Sequence, residues 1–141
     1  MREKFIDLAR YRLEKAKNTM LDAKRFMGEA TQESIVNRIY YAMFYAVNAL
    51  LITRGLSSSK HSGVRALFNK EIVNKGLIEK QWGEFYSDMF DRRQKGDYKD
   101  FVKFEKVDVE EWLKKSDEFI NKIERLILKI IEDLKRGLNH Q

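Results

Sequence analysis

The amino-acid sequence predicts an all-α protein, an antiparallel bundle of about five helices. Three observations lead to this prediction. The chain of 141 residues contains no proline, and apolar residues recur at helical spacing through its long segments. Its glycines fall mostly between those segments, where glycine is a common helix stop. No segment shows the period of two that a half-buried strand requires.

The first helix is predicted over about residues 3–27, with Gly28 as its stop. Apolar residues recur along one of its faces at helical spacing, and these are Phe5, Leu8, Ala9, Leu13, Ala16, Met20, Ala23 and Met27. The opposite face carries basic residues, among them Arg2, Arg10 and Lys17.

The second helix, about 32–54, is apolar almost all round, since only Asn48 interrupts the run from Ile39 to Ile52. The run is short for a membrane span, and Arg38 and Arg54 bracket it. A helix of this kind has to be covered on nearly every side. We therefore expect a central helix that faces other helices on one side and a second subunit on the other.

Three further helices are predicted from the same periodicity. A short one covers about 60–74 with Ser58 or Ser59 as its cap, and another covers about 79–95. The last begins with a capping-box-like pair, Asp108 and Glu111. Its apolar stripe then continues for seven turns, and Gly137 ends it.

Composition excludes several classes of function. The chain has no cysteine and only two histidines, His61 and His140, so a four-ligand zinc site is close to excluded and no metal site is expected. The first ten residues mix charged and apolar side chains, as a secretory signal does not. We therefore expect one cytoplasmic domain over residues 1–141, with a flexible tail at about 137–141, and no association with a membrane.

The net charge of +6 is unevenly distributed. Residues 1–27 carry eight basic and four acidic side chains, and residues 55–99 carry nine and six. One interpretation is a solvated surface of mixed charge. The other is a surface that meets RNA, DNA or nucleotide phosphate.

The segment Asp91–Tyr98 contains the first candidate site. At about 100° per residue, Arg93 lies within the apolar face of the fourth helix and Arg92 lies at its edge. A guanidinium on such a face is costly unless it is paired or lines a cleft. Arg93 can pair with Asp97, four residues on, which would be a structural role. Alternatively, Arg92, Arg93, Asp97 and Tyr98 could line a pocket for phosphate or nucleotide.

Two other positions are candidates. Arg38 begins an aromatic run of Tyr40, Tyr41, Phe44 and Tyr45, and it is either a solvated residue or part of a pocket lining. The aromatic residues are expected in the core or a dimer interface rather than as stacking partners for bases. His61 follows three serines and Lys60. It could cap a helix on an exposed loop, bind an anion, or act as an acid–base group.

At these residues the sequence resembles a subfamily of small stand-alone HEPN proteins. The stretch Asn37–Leu51 is similar to the family's second-helix signature, and Lys60–Phe68 and Arg93–Tyr98 are similar to its next two blocks, in order. The resemblance covers about residues 3–130. It implies a HEPN-like four-helix bundle with an added short helix. It further implies a homodimer, and in many members a partner of the minimal nucleotidyltransferase (MNT) type in toxin–antitoxin or defence systems.

The better-known toxins that this chain resembles are RNases that use neither metal nor cofactor. Their motif is an arginine followed, after four to six residues, by a histidine. Here no histidine follows Arg92 or Arg93 at that spacing. Four residues separate Arg93 from Tyr98, so a tyrosine stands at the first position where the motif would allow a histidine. In some pairs the partner transfers nucleotides to a tyrosine near this motif, which would make Tyr98 the acceptor.

The sequence thus leaves three hypotheses open. In the first, a HEPN dimer binds nucleotide or RNA around Arg93, Asp97 and Tyr98 and pairs with a nucleotidyltransferase. In the second, it is a metal-independent RNase in which His61 or Tyr98 transfers the proton. In the third, it is a structural assembly subunit, and Arg93 with Asp97 only stabilises the bundle.

Overall fold

A computed structural model describes the backbone of residues 2–98 and 103–139, and the side chains of 3–97 and 103–137. The helices are α1 (Arg2–Phe26), α2 (Gln32–Thr53), α3 (His61–Phe68), α4 (Lys80–Tyr98) and α5 (Lys106–Asn139). A π-helical turn, Asn69–Val73, continues α3. No strand occurs in these two ranges, so the predicted all-α bundle of five helices is confirmed.

Helix α2 is the centre of the bundle. It packs most extensively against α1, then against α5 and α4, and it also meets α3. Thirteen of its 22 residues are buried. This helix is long and apolar enough to cross a membrane by length and composition, but two thirds of its most apolar window is buried among the other helices. Its hydrophobicity is therefore accounted for by its position in the core.

The start of α2 is determined locally. Gly28 adopts a φ of 85° in the connection from α1, a conformation that glycine accepts without a steric penalty. Thr31 then caps α2, because its hydroxyl accepts a hydrogen bond from the Ser34 backbone N–H at 3.1 Å. This tight connection sets α1 and α2 antiparallel.

An aromatic cluster joins α3, α4 and α5 behind α2. The Tyr86 ring is nearly parallel to Phe119, with 6.0 Å between ring centres. Phe68 approaches both rings edge-on, at 5.5 Å from Tyr86 and 5.9 Å from Phe119. Edge-to-face and offset arrangements at these distances are the favourable geometries of aromatic pairs.

Four details of the predicted helices are wrong. Phe5 and Leu8 are 46% and 41% exposed, and Ile6 faces the core instead. Lys60, not Ser58 or Ser59, occupies the N-cap position of α3, and it makes no side-chain cap. Because α5 begins at Lys106, Asp108 lies inside its first turn and cannot be the first residue of a capping box. The same helix continues past Gly137 to Asn139.

The aromatic cluster yields a stability prediction. Phe119→Ala should lower the free energy of unfolding by about 3–5 kcal/mol, because it removes a fully buried ring and leaves a cavity beside Phe68, Tyr86 and Trp82. Chemical denaturation followed by circular dichroism measures the change. Leu128→Ala, on the half-exposed side of the same helix, should change it by no more than about 0.5 kcal/mol. Equal effects of the two substitutions would show that the cluster does not stabilise the bundle.

Candidate functional site

Arg93 is a buried arginine on the inner face of α4, only 7% exposed. Its Nη1 donates a hydrogen bond to Oδ2 of Asp97 at 3.3 Å, one helical turn on. Its guanidinium carbon lies 4.8 Å from the ring centre of Tyr40 and 5.7 Å from that of Tyr41, within the range of cation–π contacts. The predicted Arg93–Asp97 pair is thus present.

The pairing of Arg93 is incomplete. Its Nε is buried and meets no hydrogen-bond acceptor among the described residues. A buried donor that lacks an acceptor costs about 1–3 kcal/mol, and a single long contact to Asp97 compensates poorly for burying the charge. One N–H of the guanidinium is therefore left without an acceptor among the described residues.

Asp97 connects α4 to α2. The Asn37 side-chain amide approaches its two oxygens at 3.5 and 3.4 Å. Arg38 in turn donates from Nη2 to the Asn37 amide oxygen at 2.9 Å and lies over the Tyr41 ring. The result is a polar chain, Arg38–Asn37–Asp97–Arg93, whose two arginines and one carboxylate leave a net positive charge.

His61, the first residue of α3, lies against the aromatic residues of α2. Its ring stacks on Phe44, with 4.3 Å between centres, and meets Tyr41 edge-on at 5.6 Å. Its Nδ1 is 2.8 Å from the hydroxyl of Tyr40. Its Nε2 has no hydrogen-bond partner among the residues that the structure describes. The ring is therefore held by packing and by one hydrogen bond, and it does not cap the helix from an exposed loop.

Gly63 allows the chain before α3 to fold back over this helix. A Cβ at Gly63 would collide with the side chain of Ser58. The Ser58 hydroxyl also accepts a hydrogen bond from the Lys60 N–H at 3.2 Å. These contacts determine where α3 begins and thereby direct His61 towards α2.

His61 and Arg93 share the same two tyrosine rings. His61 lies 5.7 Å from the Tyr40 ring centre and 5.6 Å from that of Tyr41, and Arg93 lies at 4.8 and 5.7 Å from them. Partial burial, and then the charge of Arg93, lower the pKa of His61 below its usual value. A lowered histidine pKa favours the neutral form, so the imidazole is uncharged at pH 7.

A cleft of about 440 Å³ adjoins this cluster. It lies between the connection from α1 to α2 and the end of α4, and Arg38, Asn37 and Asp97 contribute to its wall. The exposed ring of Phe26 and the carboxylate of Glu33 form other parts of the lining. The cleft therefore exposes Arg38, Asn37 and Asp97 of the polar chain, and Arg93 lies behind Asp97, outside the lining.

The other predicted site residues do not join the cluster. Arg92 stacks on Trp112 of α5, with its guanidinium carbon 4.2 Å from the ring centre, and so binds α4 to α5. Phe104 packs on Gly96 and against Trp112 in the same region. The side chain of Tyr98 lies outside the described residues, so its predicted role stays a prediction.

Sequence reasoning missed Asn37 and Tyr40 as site residues. Asn37 directly precedes Arg38 and lies within the stretch that carries the family resemblance, which was a usable signal. Tyr40 was expected in the core or a dimer interface, and it is fully buried, but its hydroxyl also reaches the site. No local pattern could have revealed that contact, because 21 residues separate Tyr40 from His61.

Comparison with known proteins places this geometry in a family. The HEPN domain model matches residues 9–126. A UPF0332 protein of Thermotoga maritima is 47% identical over 136 residues, which cover 96% of this chain and 98% of that protein. Two proteins of Methanocaldococcus jannaschii, named "Putative toxin MJ0142" and "Putative toxin MJ0605", are 31% and 29% identical. They cover 90% and 84% of this chain, and the matches span 85% and 88% of their own lengths. With a match over most of its length, the chain belongs to the HEPN domain family.

Proposed function

We propose that this chain is a toxin-type HEPN protein that binds the phosphate of RNA or of a nucleotide at the cluster of Arg93, Arg38 and His61. The observation that carries the proposal is the buried and incompletely paired guanidinium of Arg93. The names of the two Methanocaldococcus jannaschii relatives support the toxin-like assignment.

The chemistry of the cluster suits a phosphate ester. Arginine presents its donors in a fork that matches two oxygens of one phosphate, and Nε of Arg93 meets no acceptor among the described residues beside the Nη1 contact to Asp97. Arg38 adds a second positive charge at the cleft wall. The two carboxylates of the lining, Asp97 and Glu33, offset the two guanidinium charges, so the proposed recognition depends on directed hydrogen bonds from the arginines and not on net charge.

RNA cleavage without a metal is the second candidate function, and one observation favours it. His61 comes from α3, outside the stretch where the usual motif would place a histidine, yet it lies on the same tyrosine rings as Arg93. In such a reaction the imidazole accepts the proton of a 2′-hydroxyl while that oxygen bonds to phosphorus. The 5′-oxygen leaves and takes up a proton from the imidazolium, giving a 2′,3′-cyclic phosphate and a free 5′-hydroxyl.

We also propose a homodimer that pairs with an MNT-type nucleotidyltransferase in the cytoplasm. The family resemblance implies both partners. Support for a dimer comes from three large side chains on the outer side of α1, Phe5, Leu8 and Tyr11, which are 46%, 41% and 63% exposed. Lys15, further along α1, lies 4.6 Å from the ring centre of the half-buried Tyr45. This outer side of α1 therefore borders the aromatic edge of α2.

The two neighbouring arginines provide a matched test of phosphate binding. Arg93→Ala should weaken the binding of a labelled mixed-sequence single-stranded RNA at least about tenfold, since a charge-assisted hydrogen bond contributes about 1.5–3 kcal/mol. Arg92→Ala removes the same charge but a different contact, and it should leave the affinity unchanged. Fluorescence anisotropy measures both, with circular dichroism to verify folding. Equal losses in the two variants would mean that only overall charge attracts the RNA.

Cleavage is tested with the same RNA in EDTA. If the second candidate is correct, the purified protein cleaves the RNA, and His61→Ala lowers the rate by about 10²–10⁴-fold. Because the pKa of His61 is lowered, a rate that needs the neutral imidazole should stay constant from pH 8 to 7 and decline only under more acidic conditions. His140→Ala, which removes the other histidine, is the control. An intact RNA after incubation with the wild-type protein would exclude this candidate and leave phosphate binding.

The dimer is tested by the mass of the protein in solution. Light scattering after size exclusion should give twice the chain mass of 16.8 kDa. Leu8→Glu should shift the protein towards the monomer, because it places a charge in the proposed apolar contact. Leu128→Glu, at a half-exposed leucine on α5, should leave the dimer intact. A wild-type monomer at high concentration would contradict the proposal.

A further inference from the structure

The fully buried hydroxyl of Tyr40 links the core to the site. The Tyr40 residue is 0% exposed, and its ring centre lies 6.1 Å from that of Tyr86, 5.9 Å from that of Phe90 and 5.7 Å from that of His61. A buried phenol commonly pairs with a hydrogen-bonding group. The group within hydrogen-bond distance of the Tyr40 hydroxyl is Nδ1 of His61, at 2.8 Å, and the Tyr86 hydroxyl lies beside it.

The direction of this hydrogen bond follows from the groups around the Tyr40 oxygen. Arg93 lies over the same ring, and a guanidinium can only donate. Burial raises the pKa of Tyr40 to about 12, while a hydrogen bond with Tyr86, and then the charge of Arg93, oppose that rise. Tyr40 therefore keeps its proton at pH 7. The unprotonated Nδ1 of a neutral imidazole is an acceptor within reach, whereas Arg93 is not.

We propose that Tyr40 is a positioning residue that donates to Nδ1 of His61 and so holds the imidazole in its Nε2–H tautomer. His61 then presents an N–H donor, rather than a basic nitrogen, towards the phosphate that Arg93 binds. The part of this inference that concerns the ligand rests on the proposed phosphate site. The tautomer of His61 does not, because it is a property of the protein without ligand. It assigns His61 to binding and opposes its use as a general base in the neutral form.

The packing of His61 supports a fixed orientation. Phe44 covers one face of the imidazole, with ring centres 4.3 Å apart and planes 13° apart, and Tyr41 contacts it edge-on. A ring flip would break the Tyr40 contact. Arg93 of α4 acts on His61, and Tyr40 and Tyr41 of α2 contact it. In α3 itself, Lys60 precedes His61 and Arg65 follows one helical turn later. None of them is a carboxylate that would favour an Nδ1–H donor.

The tautomer is directly measurable in the wild-type protein. Because the chain has only two histidines, a ¹⁵N–¹H long-range correlation spectrum of the imidazoles at pH 7.5 resolves each ring. We expect His61 to show a protonated Nε2 and an unprotonated Nδ1. A protonated Nδ1 would overturn the inference, whether or not the protein binds RNA.

Tyr40→Phe tests whether Tyr40 causes the preference. Losing the donor to Nδ1 should make the His61 signals average between tautomers and should raise its pKa in an NMR titration, since the bond favours the neutral ring. Tyr45→Phe removes a phenol hydroxyl from the same aromatic run, where its ring packs near Tyr41 and Phe44, and should leave both readouts unchanged. A His61 spectrum that is the same in Tyr40→Phe and wild type would contradict the role of Tyr40.

Two substitutions at His61 test whether its imidazole acts as a hydrogen-bond donor to the phosphate or as a base. The glutamine amide can place an N–H near the position of Nε2, so His61→Gln should retain most of the affinity for the single-stranded RNA probe. His61→Ala should lower it about tenfold or more, as expected for a lost hydrogen bond to a charged group. Equal weakening by both variants would overturn the donor role. Absence of RNA binding by the wild type would instead refute the proposed function and leave the tautomer result standing.

Discussion

The burial of α2 is the constraint on which the rest of the structure depends. A helix with so little polar surface is stable in water only when other elements cover it, and α1, α4 and α5 do so along most of its length. Some of the side chains that cover α2 are also residues of the candidate site. Arg93 covers the rings of Tyr40 and Tyr41, and His61 covers Phe44. The same packing that stabilises the fold therefore places the site residues.

The structural and functional roles considered for Arg93 are not alternatives. Its contact to Asp97 and its position over two tyrosines connect α4 to α2, which is structural. Its Nε has no hydrogen-bond acceptor among the described residues, and a cleft lies next to its partner Asp97, as expected near a binding site. Burying a charge with imperfect compensation opposes stability, and proteins commonly tolerate this at functional positions. Arg92 differs from Arg93, because its guanidinium stacks on Trp112 and so has a structural role.

Local spacing made much of this molecule predictable. The order of the helices, the central place of α2 and the Arg93–Asp97 pair all follow from periods of three to four residues, and all are confirmed. Errors arose where a local pattern was ambiguous. Phe5 and Leu8 border an apolar face to which Ile6 belongs, and the start of α5 was placed two residues too late. The meeting of His61 with Tyr40 depends on the path of the chain around Gly63, and that path is set by tertiary packing.

The distribution of the cluster over three helices has a consequence for how the protein is made. An arginine and a histidine on one helical stretch would lie near each other as soon as that stretch became helical. Here Asn37, His61 and Arg93 meet only when α2, α3 and α4 are packed together. A nascent chain still holding α4 within the ribosome has no assembled site, however well its first helices have formed. Synthesis itself thus delays the appearance of the site until most of the bundle exists.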